Sequence, residues 1–248
     1  MNQTPRRTLV VGDTHGAARA LWAALAAANF NSDTDRLIVL GDTLDGWREA
    51  PEILEFYRRL PPESLSYVLG NHDVCFLDWV RGGQRNHTMM GYGGAITCEV
   101  YLGVHADKLQ AHYDWLVGQV EYIHDSDGRL YIHAGWDVDY DFANPAQSSL
   151  GCYYWSRSFW EGMVEGGDHA RDFREVFIGH TPTTRISPFK AQPLNFRNVW
   201  NLDTGAAFAG VVTVMDVETK AFWQSEPSAS YYPGEQGRQE RTRRKQQT

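Results

Sequence analysis

Cysteine is scarce in this chain. There are three in 248 residues, Cys75, Cys98 and Cys152, an odd and widely spaced set without zinc-like or redox spacing. That excludes a disulfide framework and argues against a thiolate-bound structural zinc; it fits reduced thiols in a cytoplasmic protein. No apolar run approaches the ~20 residues of a membrane span. The opening "MNQTPRRTLVV" has no signal-peptide apolar region, so no membrane partner is expected. Positive charge is also in deficit: 23 Lys and Arg stand against 31 Asp and Glu, a net charge of −8. Such a balance opposes general affinity for a nucleic-acid backbone. Repeats, low-complexity blocks and internal linkers are absent.

One stretch runs against the charge balance. The ending "PGEQGRQERTRRKQQT" carries Arg238, Arg241, Arg243, Arg244 and Lys245 without apolar residues. It reads as a solvated, disordered tail over residues 233–248, following a single domain over residues 1–232. With 42% hydrophobic and 13% aromatic residues, that domain can bury a sizeable core.

Within it, apolar runs alternate with helical patterns. A strand near Thr8–Val11 precedes a helix of about Ala17–Asn29, with Leu21, Leu25 and Ala28 on one face. "RLIVLG" ends at Gly41, a helix follows around Pro51–Leu60, and "SLSYVLG" ends at Gly70. Residues Arg81–Glu99 are rich in glycine and read as a loop above the sheet. A helix is expected over Lys108–His124, then strands at "RLYIHAG" and "EVFIGH" on either side of the aromatic segment "YYWSRSFWEGM". The finish through "VWNLD", "VVTVMDV" and "AFWQ" reads as antiparallel, so parallel crossovers and late hairpins together predict a mixed sheet.

The polar residues fall where these runs stop. "GDTHG" gives Asp13 and His15; "LGDTLDG" gives Asp42 and Asp45; "GNHD" gives Asn71, His72 and Asp73; "HAG" and "GHT" give His133 and His180. In an open sheet with parallel strands, such ends converge on one edge. Any one cluster is more often a turn or a hydrogen-bonded structural histidine. Five in order are a site. The mixed oxygen and nitrogen donors suit borderline divalent ions such as Mn²⁺, Fe²⁺ or Zn²⁺, and their number suits two ions sharing a carboxylate.

The ordered set "GDTHG", "GDTLDG", "GNHD", "HAG" and "GHT" resembles the calcineurin-like metallophosphoesterases over about residues 8–217. It looks closest to the branch of serine/threonine protein phosphatases and small bacterial and phage phosphatases. The resemblance implies an α/β fold, a four-layer α-β-β-α sandwich of two mixed sheets with a dimetal site at the strand ends. Carried over by motif, Asp13, His15 and Asp42 hold one ion, Asp42 bridges, and Asn71, His133 and His180 complete the second. Manganese is the first expectation, with iron, zinc, nickel or cobalt as alternatives. Pro182 stands where other branches supply a further histidine, which favours the protein-phosphatase side. The motifs "GNHD" and "HAG" are shared with symmetrical diadenosine tetraphosphatases.

By the same resemblance, a water between two cations becomes a metal-bridging hydroxide that attacks phosphorus in line. His72 is the expected general acid and Asp45 its orienting partner. Protein phosphatases place a phosphate-clamping arginine where this chain has Gly46. Arg48 either reaches the same oxygens or is a surface arginine at a helix start, and Arg157 in "YYWSRS" is the better clamp. Three functions are weighed. A phosphomonoester hydrolase acting on phosphorylated protein or a small phosphoester comes first. A dinucleoside polyphosphate or other nucleotide hydrolase is the alternative. A non-catalytic scaffold is opposed by the full set of ligands and acid. The other histidines, His87, His105, His112, His124 and His169, are given no role; His112 is expected on a half-buried helix face. Trp155, Phe159 and Trp160 are expected in the core, and Asp203 and Gly205 have no assigned chemistry.

Overall fold

The computed structural model describes residues 7–82, 90–91, 93–137, 142 and 152–238. Two five-stranded sheets form the middle of the molecule. The first has the order β10-β9-β1-β2-β3, from Arg7–Val11 (β1), Asp35–Val39 (β2), Leu65–Tyr67 (β3), Thr213–Asp216 (β9) and Phe222–Gln224 (β10). The second has the order β4-β5-β6-β8-β7, from Tyr122–His124 (β4), Arg129–Ile132 (β5), Glu175–Ile178 (β6), Leu194–Phe196 (β7) and Val199–Asn201 (β8). β1, β2 and β3 are parallel, as are β5, β6 and β8. The remaining pairs are antiparallel, so both sheets are mixed as expected.

Strand periodicity sorts the core into layers. Leu9 and Val11 of β1, Leu37 and Val39 of β2, and Val214 of β9 face one cluster. There they meet helix α1 (Ala18–Ala27) through Leu21, Ala24 and Leu25, and helix α2 (Ala50–Arg59) through Ile53 and Leu54. The alternate residues Val10, Ile38 and Met215 pack between the sheets against Tyr131 and Phe177, whose rings stack at 5.1 Å. Leu130, Ile132, Val176 and Ile178 face the other side, toward Phe159, Trp160 and Met163. Helix, sheet, sheet, helix: four layers, with the inner strands β1, β2, β5, β6 and β9 buried and the edge strands β4, β7 and β10 exposed in part.

The finish was expected to be antiparallel throughout, yet β8 runs parallel to β6 and lies in the other sheet from β9 and β10. The other expected elements hold with shifts of one to three residues, apart from two regions. Arg81–Glu99 was expected as a loop. Helix α3 (Asn71–Gly82) runs into its start, and helix α4 (Gly94–Leu102) covers its end, beginning after Gly93 at φ 104°. Residues 83–89 and 92, His87 among them, lie outside the described residues. The single helix expected over Lys108–His124 is instead helix α5 (Ala106–Val117), stopped at Gly118, followed by strand β4. The exposed His105 begins that helix, its ring accepting from the Asp107 N–H.

His112 is fully buried. Its Nδ1 lies 2.7 Å from the Tyr101 hydroxyl, its Nε2 faces Glu55, and burial pushes its pKa down to about 4. Phe159 and Trp160 are core, whereas Trp155 is 36% exposed and does not belong with them. Cys75, Cys98 and Cys152 are all buried. Among the described residues, no helix is long and apolar enough to cross a membrane. The expected domain boundary at residue 232 falls just after the short helix Ser228–Tyr231. Residues 233–236 are exposed, but Gly237 and Arg238 lie against the body, with the Arg238 N–H donating to the Ala207 carbonyl. Residues 239–248 are outside the described set.

Candidate metal centre

The parallel strands deliver the polar residues to one edge. Asp13 and His15 follow β1, Asp42 and Asp45 follow β2, and Asn71 and His72 open α3 just after β3. His133 and His180 follow β5 and β6. All eight are buried. Of seven non-glycine residues at positive φ among those described, four belong here: His15 at 46°, Asp42 at 51°, Asp45 at 64° and His180 at 68°. Left-handed backbone at a β-carbon costs energy and persists where the surroundings fix it, as at functional sites. Glycine makes the turns close enough. A Cβ on Gly70 would lie 2.1 Å from Asp42 Oδ1.

Asp42 is the centre. Its Oδ2 lies 3.6 Å from His15 Nε2, 4.0 Å from His72 Nε2 and 3.3 Å from His133 Nε2, while Oδ1 accepts from the His72 N–H at 2.9 Å. His15 and His133 donate Nδ1–H to the carbonyls of Leu44 and Leu40 at 2.8 and 2.7 Å. A carbonyl only accepts, so each ring must hold its proton there and turn Nε2 inward, the arrangement that orients metal-ligating imidazoles. His133 Nε2 and His180 Nδ1 converge on Asn71 Oδ1 at 3.1 and 2.9 Å. Asp13 accepts from the His180 N–H with both oxygens and approaches His15 Nε2 to 3.7 Å.

Two groups of three donors, each within 4.8 Å of one another, emerge: His15, Asp42 and His72, and Asp42, His133 and His180. They share Asp42, as two ions bridged by one carboxylate require. The buried His180 Nε2 has no hydrogen-bond partner. An orphaned nitrogen among oxygen and imidazole donors is the chemistry of a divalent cation site, and the residues fit the implied pair of ions. The first group differs from the sequence expectation in one respect, since it contains His72 where the resemblance supplies Asp13.

Electrostatics bear out a site built around negative charge. Burial opposes ionisation of Asp42, yet His133, His72 and His15 hold its carboxyl well below the usual range. Burial also opposes charge on the imidazoles. At His133 the Asp42 carboxylate outweighs it and raises the pKa to about 10, and at His15 the Asp13 and Asp42 carboxylates raise it too. At His72 and His180 burial prevails and the pKa is lowered. At His72 this holds although a carboxylate stands beside it. His72 Nδ1 lies 2.7 Å from Asp45 Oδ2, but desolvation wins.

Several supporting residues escaped the sequence reading. Asp73 accepts from the N–H groups of Asp42, Thr43 and Gly70 and from the Tyr67 hydroxyl, and so ties the β2 and β3 turns together. Burial and the Asp42 charge push its pKa up to about 7. Thr97 donates its hydroxyl to Asp45 Oδ1 and accepts from the Asp45 N–H, fixing the carboxylate behind His72. Asp203 is buried at the site, and burial with the neighbouring Asp13 charge raises its pKa. Asp73 falls within "GNHD" and Asp203 was noted without a role, whereas Thr97 carries no motif at all. Cys75 and Arg81 have the C-x₅-R spacing of cysteine-dependent phosphatases, which the sequence reading overlooks. Both lie on α3, and burial pushes the Cys75 thiol up to about 12, so it offers no thiolate.

A cavity of about 80 Å³ opens on the site, lined by His15, Asp42, Asn71, His72 and His180, and by Trp155, Arg157, Arg185, Phe208 and Arg238. The two expected clamps part company. Arg157 lines the cavity and donates to the Thr181 hydroxyl at 3.0 Å. Arg48 does not line it and pairs through both terminal nitrogens with Glu99, at 2.8 and 3.2 Å. Gly46, two residues before Arg48, has no room for a side chain, because a Cβ there would lie 2.6 Å from the His15 carbonyl.

The fold and the shared-carboxylate centre define a metal-dependent phosphoesterase of the hydrolase class. The model of the calcineurin-like phosphoesterases matches residues 6–199, and the chain belongs to that family. It is similar to serine/threonine-protein phosphatase 1 of Salmonella typhimurium, 27% identical over 219 residues, covering 86% of this chain and 93% of that protein. It is also similar to a symmetrical bis(5'-nucleosyl)-tetraphosphatase of Pectobacterium atrosepticum, 34% identical over 136 residues. That match covers 53% of this chain and 45% of the relative. Among solved structures, a provisionally assigned diadenosine tetraphosphatase superposes with a TM-score of 0.63 at 17% identity, covering 90% of this chain and 95% of the other. That likeness is one of fold.

Proposed function

We propose that this chain hydrolyses dinucleoside polyphosphates at its dimetal centre. The carrying observation is the rim of the site. Arg157, Arg185 and Arg238 border one cavity, more positive charge than a single phosphomonoester needs and well matched to a row of phosphates. A second cavity of about 620 Å³ shares Phe208 and Arg238 with the first and is lined also by Trp47 and the fully exposed Phe189. Aromatic walls beside a cationic rim suit a nucleoside attached to a phosphate chain. The 34% identity to a symmetrical tetraphosphatase, higher than to the protein phosphatase although over a shorter span, supports the same reading.

In this reading Asp13, His15, Asp42, Asn71, His133 and His180 hold two divalent cations. When bound, these supply the charge that lowers the pKa of a coordinated water and neutralises phosphate oxygens. The protein's own part is orientation and proton transfer. His72 turns Nε2 into the cavity and gives its proton to the leaving oxygen, with Asp45 holding Nδ1–H and Thr97 holding Asp45. Burial lowers the His72 pKa, and the anionic substrate restores the imidazolium by proximity. Arg157, which lines the same cavity, binds phosphate oxygens.

A second reading, a serine/threonine protein phosphatase, is favoured by one observation: the Salmonella relative matches along 93% of its own length. A side-by-side comparison of diadenosine tetraphosphate, a phosphoserine peptide and mononucleotides, each with Mn²⁺, separates the two. The dinucleotide is expected to lead in kcat/KM by about tenfold or more, the effect of about 1.4 kcal/mol of extra rim contact. A phosphopeptide in first place would transfer the assignment to the second reading.

A further inference from the structure

Arg238 is placed where the sequence gives no reason to look. It lies in the segment expected to be a free tail, yet its Nη1 stands 3.0 Å from His72 Nε2 and 3.5 Å from His15 Nε2. Three contacts bring it there. Its N–H donates to the Ala207 carbonyl at 2.8 Å, its guanidinium lies 5.3 Å from the centre of the Phe208 ring, and its stem packs on Gly93. The preceding Gly237 sits so close to Ala207 and Trp47 that a Cβ would meet the Ala207 carbonyl at 2.5 Å and the indole at 2.7 Å. The chain is thus bent against the body just before the arginine.

The partners of this guanidinium are unusual. Arg7, Arg19, Arg48 and Arg129 each pair with a carboxylate. Among the described residues Arg238 has no carboxylate partner, only imidazole nitrogens at the mouth of the metal site. A neutral ring nitrogen is a poor acceptor for a guanidinium compared with a phosphate oxygen, which adds charge and accepts two parallel bonds. The position it faces, beside the inward nitrogen of His72, is where an oxygen of the reacting phosphate must come if His72 is to protonate the leaving group.

We propose that Arg238 is a substrate-binding residue: a phosphate oxygen replaces His72 Nε2 as the acceptor of its N–H groups, so that the C-terminal segment completes the site. The proposal rests on the phosphoesterase reading above and adds a residue that no motif supplies. A rival use of the same contact is a plug that occupies the cavity and holds substrate out.

The test uses the full chain loaded with Mn²⁺ and inorganic phosphate as the probe, with binding read by titration calorimetry and with inhibition of aryl-phosphate turnover read in parallel. Arg238→Ala is expected to weaken phosphate binding about 10- to 100-fold and raise KM, with metal content unchanged. Arg238→Lys should recover part of the affinity, because it keeps the charge and loses the fork. Equal phosphate affinity in wild type and Arg238→Ala overturns the proposal; tighter phosphate and faster turnover in the variant would identify the plug instead. A wild type that turns over no phosphoester would refute the function proposed above, while the calorimetric comparison would still decide the role of Arg238.

Discussion

Replacing Asp42 with asparagine is expected to strip both halves of the metal centre and end turnover. The carboxylate is the only group common to both donor clusters, and it is held ionised against burial by three imidazoles. Asparagine keeps the shape and the acceptor for the His72 N–H but removes the charge that two cations would share. Loss of even an outer-sphere partner commonly costs 10- to 100-fold in metal affinity, so a bridging ligand should cost at least that at each ion. Metal analysis after desalting should fall from about two ions per chain to below one, and kcat/KM with it. A variant that keeps both ions would show that Asp42 does not bridge. Thermal melting of the metal-free variant guards against mistaking misfolding for ligand loss.

His72→Asn should behave differently. Its Nδ1 is tied to Asp45, whose other oxygen is tied to Thr97, and its Nε2 faces the cavity 4.0 Å from Asp42 Oδ2. As a general acid it contributes about 10²–10⁴-fold, so kcat should fall by that factor with about two ions per chain retained. The loss should be larger for an alkyl phosphate than for an aryl phosphate, whose leaving oxygen needs less help from a proton. The same nitrogen also completes a donor triad with His15 and Asp42. Should the variant lose an ion, His72 is a ligand and the acid must be sought elsewhere.

The contrast between these two histidine roles shows where the sequence is legible. His133 and His180 end apolar runs beside glycine, and strand direction alone carries such residues to one edge. The four layers came from the resemblance alone; in the structure Leu9, Val10 and Val11 alternate between opposite faces by period two. Helix α3 was not legible, because it opens on Asn71, His72 and Asp73, polar residues chosen for the site and not for an amphipathic stripe. Supports such as Asp73 and Thr97 act through hydrogen bonds to residues tens of positions away, which no local pattern encodes. Arg238 lies further out still, 166 positions from His72 and within a basic stretch whose composition reads as solvated chain.

The central claim is that two ions share Asp42, and crystals of the chain grown with Mn²⁺ test it most directly. An anomalous difference map is expected to hold two peaks, one bordered by His15 and Asp42 and the other by Asp42, His133 and His180. A map with no peak at Asp42, or with a single peak that leaves His133 and His180 uncoordinated, would contradict it.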